Sequence, residues 1–197
     1  KAGNICIQNP WPGSFQTIWR DRERYVNQYY SRYCKDPKSK RWQDWPYMTG
    51  DAAVVAADGY VRILGRIDDV INVSGHRLGT KEIESAAMTV VDVAEAAVVA
   101  VKHEVKGKEP DLYVALKPGC TPSDALAKKI QDAVVQEIGA IARPRKVWIV
   151  SDMPKTRSGK IMRRVLSAIS NGTDVGDVMT LANPEIVVEI TKMVQGK

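Results

Sequence analysis

The chain has 197 residues, of which 44% are hydrophobic and 26% charged, and this indicates an ordinary globular protein of one large domain or one domain plus part of another. No apolar run approaches the roughly 18 to 20 residues of a membrane span, and the first residues lack the zones of a signal peptide, so we predict a cytoplasmic protein with no membrane partner. The formal net charge of +6 is moderate and leaves several classes of anionic partner open.

The first third of the sequence is rich in strand signals. The opening G-N-I-C-I predicts a strand that runs into a Pro-rich bend. Residues 21–33 begin with acids and carry a Tyr/Val stripe at helical spacing, which predicts a short amphipathic helix. Two β-rich runs around Asp58-Gly59 then predict a hairpin.

After a charged joint at residues 66–69, the pattern changes to short strands that alternate with helices. V-I-N-V is the first strand, and the following T-K-E-I-E-S-A-A-M predicts a helix with Thr80 as its N-cap. The apolar runs A-A-V-V-A-V and D-L-Y-V-A-L predict two further strands. This alternation is typical of a compact α/β domain with its own core.

Thr121 and Pro122 open the clearest predicted helix, and Gly139 ends it. Its apolar face consists of Leu126, Ile130, Val134 and Ile138. Next come a strand, K-V-W-I-V, a basic loop, and a helix over I-M-R-R-V-L-S-A-I that ends before Asn171-Gly172. The basic loop therefore joins a strand to a helix.

The cysteines and histidines show no metal-binding or disulfide pattern. Cys6, Cys34 and Cys120 are widely spaced and form no C-x-x-C pair, and His76 and His103 lack the paired spacing of metal ligands. We therefore predict that the cysteines are small buried residues.

The basic residues are concentrated between residues 143 and 164, where eight of them accompany one acid, Asp152. A phosphate-binding Walker loop is excluded, because Pro154 and Ile161 stand where that motif needs a Gly and a hydroxyl. A nucleic-acid-binding module is an alternative for such a stretch. Against it, Trp148 is the only aromatic residue there and lies in an apolar strand, so no stacking platform is present.

Three motifs occur in order: Y-M-T-G-D, then G-R-I-D-D-V-I-N-V-S-G-H-R-L-G-T-K-E-I-E-S-A, then P-K-T-R-S-G-K-I-M-R-R. Together they resemble the C-terminal part of AMP-forming acetyl-CoA synthetases, members of the adenylate-forming acyl-CoA synthetase superfamily. Within them, G-H-R-L-G-T, and the later G-D-V-M-T-L-A-N-P, resemble acetyl-CoA synthetases in particular.

This resemblance implies a domain organisation. Residues 1–67 correspond to the β-rich end of a large N-terminal adenylation domain that is otherwise missing. Residues 68–197 correspond to the small, mobile α/β (α+β) C-terminal domain, and Asp68 is its hinge. A fragment of this kind is expected to be inactive alone.

The resemblance also implies a reaction. Acetate attacks the α-phosphate of ATP, with Mg2+, to give acetyl-AMP and pyrophosphate, and the thiol of coenzyme A then takes the acetyl group. Propionyl-CoA or another short-chain acyl-CoA synthetase is an alternative, because the acyl pocket would lie upstream of Lys1.

Three residues are implied to bind ATP and AMP. A carboxylate at Asp51 can accept hydrogen bonds from both ribose hydroxyls, and Arg66 and Arg77 offer guanidinium donors to ribose and phosphate oxygens. From the residues alone, an Asp after Gly is also a common turn former, and arginines are commonly solvated on the surface.

The second and third motifs imply the remaining roles. Ser74 and Gly75 would face coenzyme A, where a Gly leaves room for the pantetheine arm, although a Ser-Gly turn is the alternative. Lys160 resembles the catalytic lysine of the adenylation step, carried on a flexible loop, where its ammonium offsets anionic charge. Acetylation would remove that charge, so Lys160 is also predicted as a regulatory site for a lysine acetyltransferase and deacetylase.

Two positions depart from the family pattern. Val135 and Gln136 stand where bacterial enzymes carry a basic residue for the 3′-phosphate of coenzyme A, which leaves Arg143 or Arg145 as possible substitutes. Where the family holds Mg2+ with a His and backbone carbonyls, the candidate residues here are Met88, Val90 and Val93, which offer carbonyls alone.

Overall fold

The computed structural model describes residues 2–9, 11–36, 38–41, 44–67 and 69–196, without the side chains of Ala2 and Arg77. The chain divides into two compact units, Lys1–Asp68 and Asp69–Lys197. Among the described residues, no helix has both the length and the apolar character needed to cross a membrane.

The described residues of the first unit include a small antiparallel sheet and a helix. Its elements are β1 (Ala2–Ile7), α1 (Arg22–Tyr29), β2 (Tyr47–Val55) and β3 (Val61–Arg66). The strands lie in the order β1-β2-β3. The predicted strand, helix and hairpin are confirmed. The Asp21 side chain begins α1 by accepting a hydrogen bond from the backbone N–H of Arg24.

Asp58 and Gly59 form the turn between β2 and β3. The Asp58 carboxylate accepts a hydrogen bond from the backbone N–H of Tyr60 at 3.1 Å, and Gly59 has φ +88°. The hairpin register that follows places Asp51 directly opposite Arg66.

The second unit is a mixed sheet with helices on both faces. Its elements are β4 (Val70–Val73), β5 (His76–Gly79), α2 (Thr80–Ala87), β6 (Val93–His103), β7 (Gly107–Leu116), α3 (Asp124–Ile138), β8 (Lys146–Val150), α4 (Arg163–Ser170) and α5 (Glu185–Gln195). The strand order is β5-β4-β7-β6, and β8 pairs in parallel with β7. The predicted α/β fold is confirmed.

The central strands separate two apolar cores. Alternate residues point to opposite faces of a strand, so in β7 Leu112 and Tyr113 enter different cores. Leu112 packs in the core that contains α2 and α3, and Tyr113 in the core that contains α4 and α5. Both residues are fully buried. The second core therefore depends on the α4–α5 region, which also flanks the basic loop.

The structure corrects three local predictions. Gly79 precedes α2, and Thr80, predicted as the N-cap, is its first helical residue, 6% exposed. Helix α3 begins at Asp124 and not at Pro122, because Ser123 is its N-cap and the Ser123 hydroxyl accepts a hydrogen bond from the Leu126 N–H.

The third correction concerns the cysteines, which were predicted to be buried. Cys6 is exposed, whereas Cys34 and Cys120 are partly exposed. Each lies outside both apolar cores of the second unit.

Candidate functional site

Asp51 and Arg66, two of the predicted nucleotide contacts, are neighbours across β2 and β3. One Arg66 Nη lies 3.9 Å from an Asp51 carboxylate oxygen, and the same nitrogen donates to the Thr49 carbonyl at 2.9 Å. Both side chains are partly exposed, at 36% for Asp51 and 43% for Arg66. An acceptor and a multi-donor cation are therefore presented side by side.

Gly50 explains why this pair needs the T-G-D sequence. Gly50 has φ +83°, and a Cβ placed there would lie only 2.5 Å from the Arg66 guanidinium. Any larger residue would displace that guanidinium. The absence of a side chain at Gly50 therefore leaves the space in which the Arg66 guanidinium lies beside Asp51.

Ser74 and Gly75 form the two-residue turn between β4 and β5. Their φ angles are 48° and 84°, and Val73 pairs with His76 on either side, which is the pattern of a type I′ hairpin. Both residues are exposed, and no atom lies within 4 Å of a Cβ added at Gly75. The Ser-Gly turn and the open approach to its backbone are thus both present.

Two predicted residues are described only in part or not at all. Arg77 lies in β5 opposite Asn72, and its side chain is outside the described part. Asp68, the predicted hinge, lies outside the described residues, so that role stays a prediction.

Lys160 lies on a loop that is closed by hydrogen bonds. Thr156 and Lys160 are joined twice, since the Thr156 N–H donates to the Lys160 carbonyl at 2.8 Å and the Lys160 N–H donates to the Thr156 hydroxyl at 3.1 Å. The Met162 N–H donates to the Pro154 carbonyl at 2.7 Å, and Lys155 forms a β-bridge with Ile161. The loop predicted to be flexible therefore has a defined backbone, from which the exposed Lys160 side chain projects.

Most other cations of the basic stretch are bound internally. Arg145 makes a bidentate contact with the fully buried Asp111, at 2.8 and 2.7 Å. Arg164 donates to the carbonyls of Val175 and Asp177. In the described part of the chain, Lys160 forms no ion pair. The stretch is therefore far less available to a polyanion than its sequence predicts.

Lys155 ties one end of the Lys160 loop to the body of the unit. Its ammonium donates to Asp152 at 2.8 Å and to Glu95 at 2.9 Å. The hydrogen bond to Asp152 raises the pKa of Lys155. Burial alone would raise the pKa of Asp152, but the Lys155 hydrogen bond and the Met153 N–H together lower it.

Arg163 attaches the other end of the Lys160 loop to α2. Its guanidinium makes three contacts of 2.8 to 3.0 Å with Glu84, which is only 3% exposed. Glu84 also accepts the Val98 N–H at 3.1 Å and pairs with Lys81 at 3.0 Å. The start of α4 is thus joined to α2, the helix that follows the Ser74–Gly75 hairpin.

The predicted Mg2+ position, at the backbone carbonyls of Met88, Val90 and Val93, lies at and after the end of α2. Met88 follows α2, and the buried Val90 carbonyl accepts the Val93 N–H at 3.0 Å. Within the described residues, no group of three or more His, Cys, Asp or Glu side chains could hold a metal ion. Uncharged carbonyls alone suit Mg2+ poorly, because it favours carboxylate and water oxygens.

The position predicted to meet the 3′-phosphate of coenzyme A lies on α3. Gln136 lines an open groove of about 680 Å³ together with Lys128 and Lys129. Of the two predicted substitutes, Arg145 is held by Asp111, and Arg143 donates to Gln131 at 3.3 Å. The two lysines were not predicted from the sequence, although Lys129 and Gln136 are seven residues apart in a predicted helix, a spacing that places both on one face.

The chain is similar to known adenylate-forming enzymes. Residues 82–160 match the AMP-binding enzyme C-terminal domain. The acetyl-coenzyme A synthetase of Gemmatimonas aurantiaca is 47% identical over 189 residues, which cover 96% of this chain and 28% of that protein. The chain therefore spans less than a third of the length of this curated relative.

Solved structures agree. An anthranilate CoA ligase in complex with anthranoyl-AMP is 29% identical with a TM-score of 0.70, covering 87% of this chain and 30% of that one. ATP-bound MatB from Rhodopseudomonas palustris is 26% identical with a TM-score of 0.68, covering 85% and 30%. The resemblance to the C-terminal part of acetyl-CoA synthetases is confirmed.

Proposed function

We propose that this chain, which corresponds to the C-terminal part of the acetyl-coenzyme A synthetases, provides that part of an AMP-forming acetate–CoA ligase. The complete reaction would convert acetate, ATP and coenzyme A into acetyl-CoA, AMP and pyrophosphate. Because the residues that size the acyl pocket lie outside the matched part, propionate or another short acid is the alternative substrate. The names of the similar synthetases favour acetate.

The observation that carries the proposal is that Lys160 is exposed and forms no ion pair with the described residues. Lys155 and Arg163, on either side of Lys160 in the motif, are bound to carboxylates within the unit, whereas Arg157, the nearest basic residue before Lys160, is exposed as Lys160 is. Lys160 is exposed on a loop whose backbone is closed on both sides. A cation that projects outward and forms no ion pair with the described residues is suited to an anionic substrate.

In the first step, an acetate oxygen attacks the α-phosphorus of ATP and pyrophosphate leaves. We assign the ribose hydroxyls to the Asp51 carboxylate and the adenylate oxygens to Arg66 and Arg77. Lys160 would offset the negative charge shared by the acetate and the α-phosphate as they approach. ATP would enter as its Mg2+ complex.

In the second step, the thiolate of coenzyme A attacks the acetyl carbonyl of acetyl-AMP and AMP leaves. The exposed Ser74–Gly75 turn would border the path of the pantetheine arm, since its backbone is open to close approach. We propose that the joint at Asp68 lets the second unit present Lys160 for the first step and this turn for the second.

Two further roles belong to the same proposal. Acetylation of the exposed Lys160 would remove its charge, so a lysine acetyltransferase and deacetylase would switch the first step off and on. A second Mg2+, held by the backbone carbonyls of Met88, Val90 and Val93, is a further prediction. A cytoplasmic location agrees with the supply of ATP and coenzyme A.

The test uses a reconstituted enzyme, defined as the Gemmatimonas aurantiaca synthetase in which this chain replaces the matching C-terminal 28%. We expect it to form acetyl-CoA, whereas the same synthetase without a C-terminal part should not. Lys160→Ala should reduce acetyl-AMP formation by roughly 10² to 10³-fold, as for the loss of one preorganised charge. It should leave thiolysis of supplied acetyl-AMP within about threefold, a span of less than 1 kcal/mol.

Arg157→Ala is the matched control, because Arg157 is an exposed cation of the same loop with no ion pair among the described residues. We expect it to keep both steps near normal. Equal losses from the two variants, or equal losses of the two steps in Lys160→Ala, would contradict the role of Lys160. A folded but inactive reconstituted enzyme would contradict the proposed function.

A further inference from the structure

We infer that Asn183, in the G-D-V-M-T-L-A-N-P segment, is a positioning residue that fixes the loop carrying Lys160. The inference rests on the proposed function, because it assigns to Asn183 an effect on the acetyl-AMP-forming step. The residues of that segment are not among those proposed to bind substrates or to take part in the two steps.

The Asn183 side chain makes three hydrogen bonds, all to residues 152–155. Its carbonyl oxygen accepts the Lys155 N–H at 3.0 Å. Its amide nitrogen donates to the Asp152 carboxylate at 3.1 Å and to the Met153 carbonyl at 2.8 Å. One partly buried side chain therefore satisfies donors and acceptors on both sides of Pro154.

The backbone around Asn183 continues this contact along the loop. The Ala182 N–H donates to the Lys155 carbonyl at 2.8 Å, and Leu181 forms a β-bridge with Thr156. Leu181 is 5% exposed and packs in the core that contains α4 and α5. The segment is therefore anchored by apolar burial on one side and holds the loop on the other.

The constraint reaches Lys160 through two residues. Lys155 pairs with Ile161 across the loop, and Thr156 bonds to both the carbonyl and the N–H of Lys160. Fixing Lys155 and Thr156 from the Asn183 side therefore fixes the backbone from which the Lys160 side chain extends. A displacement of about 1 Å can cost two orders of magnitude in a reaction that depends on alignment.

The contacts also show which bonds depend on the amide of Asn183. Asp has the shape of Asn but no N–H2 group, so Asn183→Asp keeps the bond from the Lys155 N–H and loses both donated bonds. It also places a second carboxylate at the 3.1 Å position beside Asp152, where like charges repel. Asn183→Asp therefore weakens the contact of residue 183 with residues 152–155, with little change in side-chain volume.

The first test measures amide hydrogen exchange in the 197-residue chain. We expect Asn183→Asp to speed exchange of the Thr156 and Met162 amides by about tenfold, the change that loss of roughly 1.4 kcal/mol of local stability produces. Asn171→Asp is the matched control, because Asn171 also donates two bonds and accepts one, all with backbone groups. Asn171 lies at the far end of α4, and its substitution should leave exchange in the loop unchanged.

The second test measures the two half-reactions in the reconstituted enzyme. We expect Asn183→Asp to lower kcat for acetyl-AMP formation by at least about tenfold, with KM for ATP changed less than about threefold. Thiolysis of supplied acetyl-AMP should match that of Asn171→Asp. In the double variant Asn183→Asp/Asp152→Asn, the new amide can donate to the new carboxylate, so acetyl-AMP formation should recover in part.

Faster loop exchange together with a selective loss of acetyl-AMP formation would support the inference. It would be overturned if loop exchange did not differ between Asn183→Asp and Asn171→Asp. It would also be overturned if exchange rose but both half-reactions fell equally. Failure of the unsubstituted reconstituted enzyme to form acetyl-AMP would overturn the proposed function instead, and hydrogen exchange would still decide whether Asn183 holds the loop.

Discussion

The Ser74–Gly75 turn shows how one backbone feature combines a structural and a functional demand. Both residues have positive φ, as a type I′ hairpin requires, and a non-glycine residue at Gly75 would be strained. The space around Gly75 is nevertheless open. Strain and obstruction of a ligand can therefore be separated by experiment.

We expect Gly75→Leu to lower thiolysis of acetyl-AMP by roughly 10²-fold, because the side chain would stand in the path proposed for the thiol arm. Acetyl-AMP formation should stay within about threefold of normal, a cost below 1 kcal/mol. Gly119→Leu is the control, since Gly119 has φ +87° and equally open surroundings but lies between β7 and α3. Each variant should cost about 1 to 2 kcal/mol of stability. Thiolysis losses of the same size in both would show that strain, and not obstruction, is responsible.

The joining of α4 to α2 depends on the Glu84–Arg163 ion pair. Glu84 is buried and has two cationic partners, of which Arg163 is 25% exposed and Lys81 is 58% exposed. A buried charge that loses a well-placed partner is costly, whereas an exposed partner contributes little. The two partners should therefore differ in their importance.

We expect Arg163→Met to lower the free energy of unfolding by about 3 kcal/mol, since it leaves the Glu84 carboxylate undercompensated. Lys81→Met should lower it by less than about 1 kcal/mol. Urea unfolding of the chain, followed by circular dichroism, measures both. The buried pair has no special role in stability if the two substitutions cost the same.

The attachment of the Lys160 loop through Lys155 should depend on pH. The pKa of Lys155 is raised above its ordinary 10.5, so its contribution is complete below pH 10.5 and is lost as the pH rises through the folded-state value. The pKa of Asp152 is lowered below 3.8, so its contribution is lost as the pH falls through a value under 3.8. Between the folded-state pKa of Asp152 and that of Lys155, both side chains are charged.

Lys155→Met should therefore lower the free energy of unfolding by about 1 kcal/mol at pH 7, and the difference from the unsubstituted chain should shrink above pH 10.5. Urea titrations at neutral and alkaline pH provide the measurement. Lys108→Met, at an exposed lysine of β7, should not change the free energy of unfolding at neutral or at alkaline pH. A difference that stays constant into the alkaline range would contradict the charge dependence.

The helices and strands of the core were largely predictable, because alternating and helical spacings of apolar residues specify which face is buried. Helix α5 was not predicted. Ile186 and Ile190 have the four-residue spacing of a buried face, but the β-branched residues around them also favour strands. The positions of Asp51 and Lys160 followed from short motifs. The contacts that Asn183, Glu95 and Glu84 make with Lys155 and Arg163 could not be predicted, because they join residues 28 to 79 positions apart.

The chain as a whole consists of two compact units that meet in sequence between Asp68 and Asp69. The predicted nucleotide contacts Asp51 and Arg66 belong to the first unit, and Lys160 belongs to the second. We propose that the connection between β3 and β4, which contains Asp68, takes two settings, one for each step.

We expect Asp68→Pro to damage the two half-reactions of the reconstituted enzyme unequally. Proline fixes φ near −65° and restricts the preceding Ile67 to extended geometry, so the joint would keep only one setting. One step should proceed and the other fall by roughly 10²-fold, as for a misplaced catalytic group. Separate assays of acetyl-AMP formation and thiolysis provide the measurement. Near-normal rates of both steps would place the hinge elsewhere.

The position of α5 in the chain has a consequence for protein synthesis. Ile190 of α5 is fully buried and packs in the same core as Tyr113 of β7, which leaves the ribosome 77 residues earlier. Domains fold as units during synthesis, at about 5 to 20 residues per second. One face of the sheet is therefore synthesised several seconds before α5, which packs on it, and the Lys160 loop is synthesised before Asn183. During that interval the nascent second unit would expose an apolar face of the sheet. We expect molecular chaperones to bind this face mainly before α5 is synthesised.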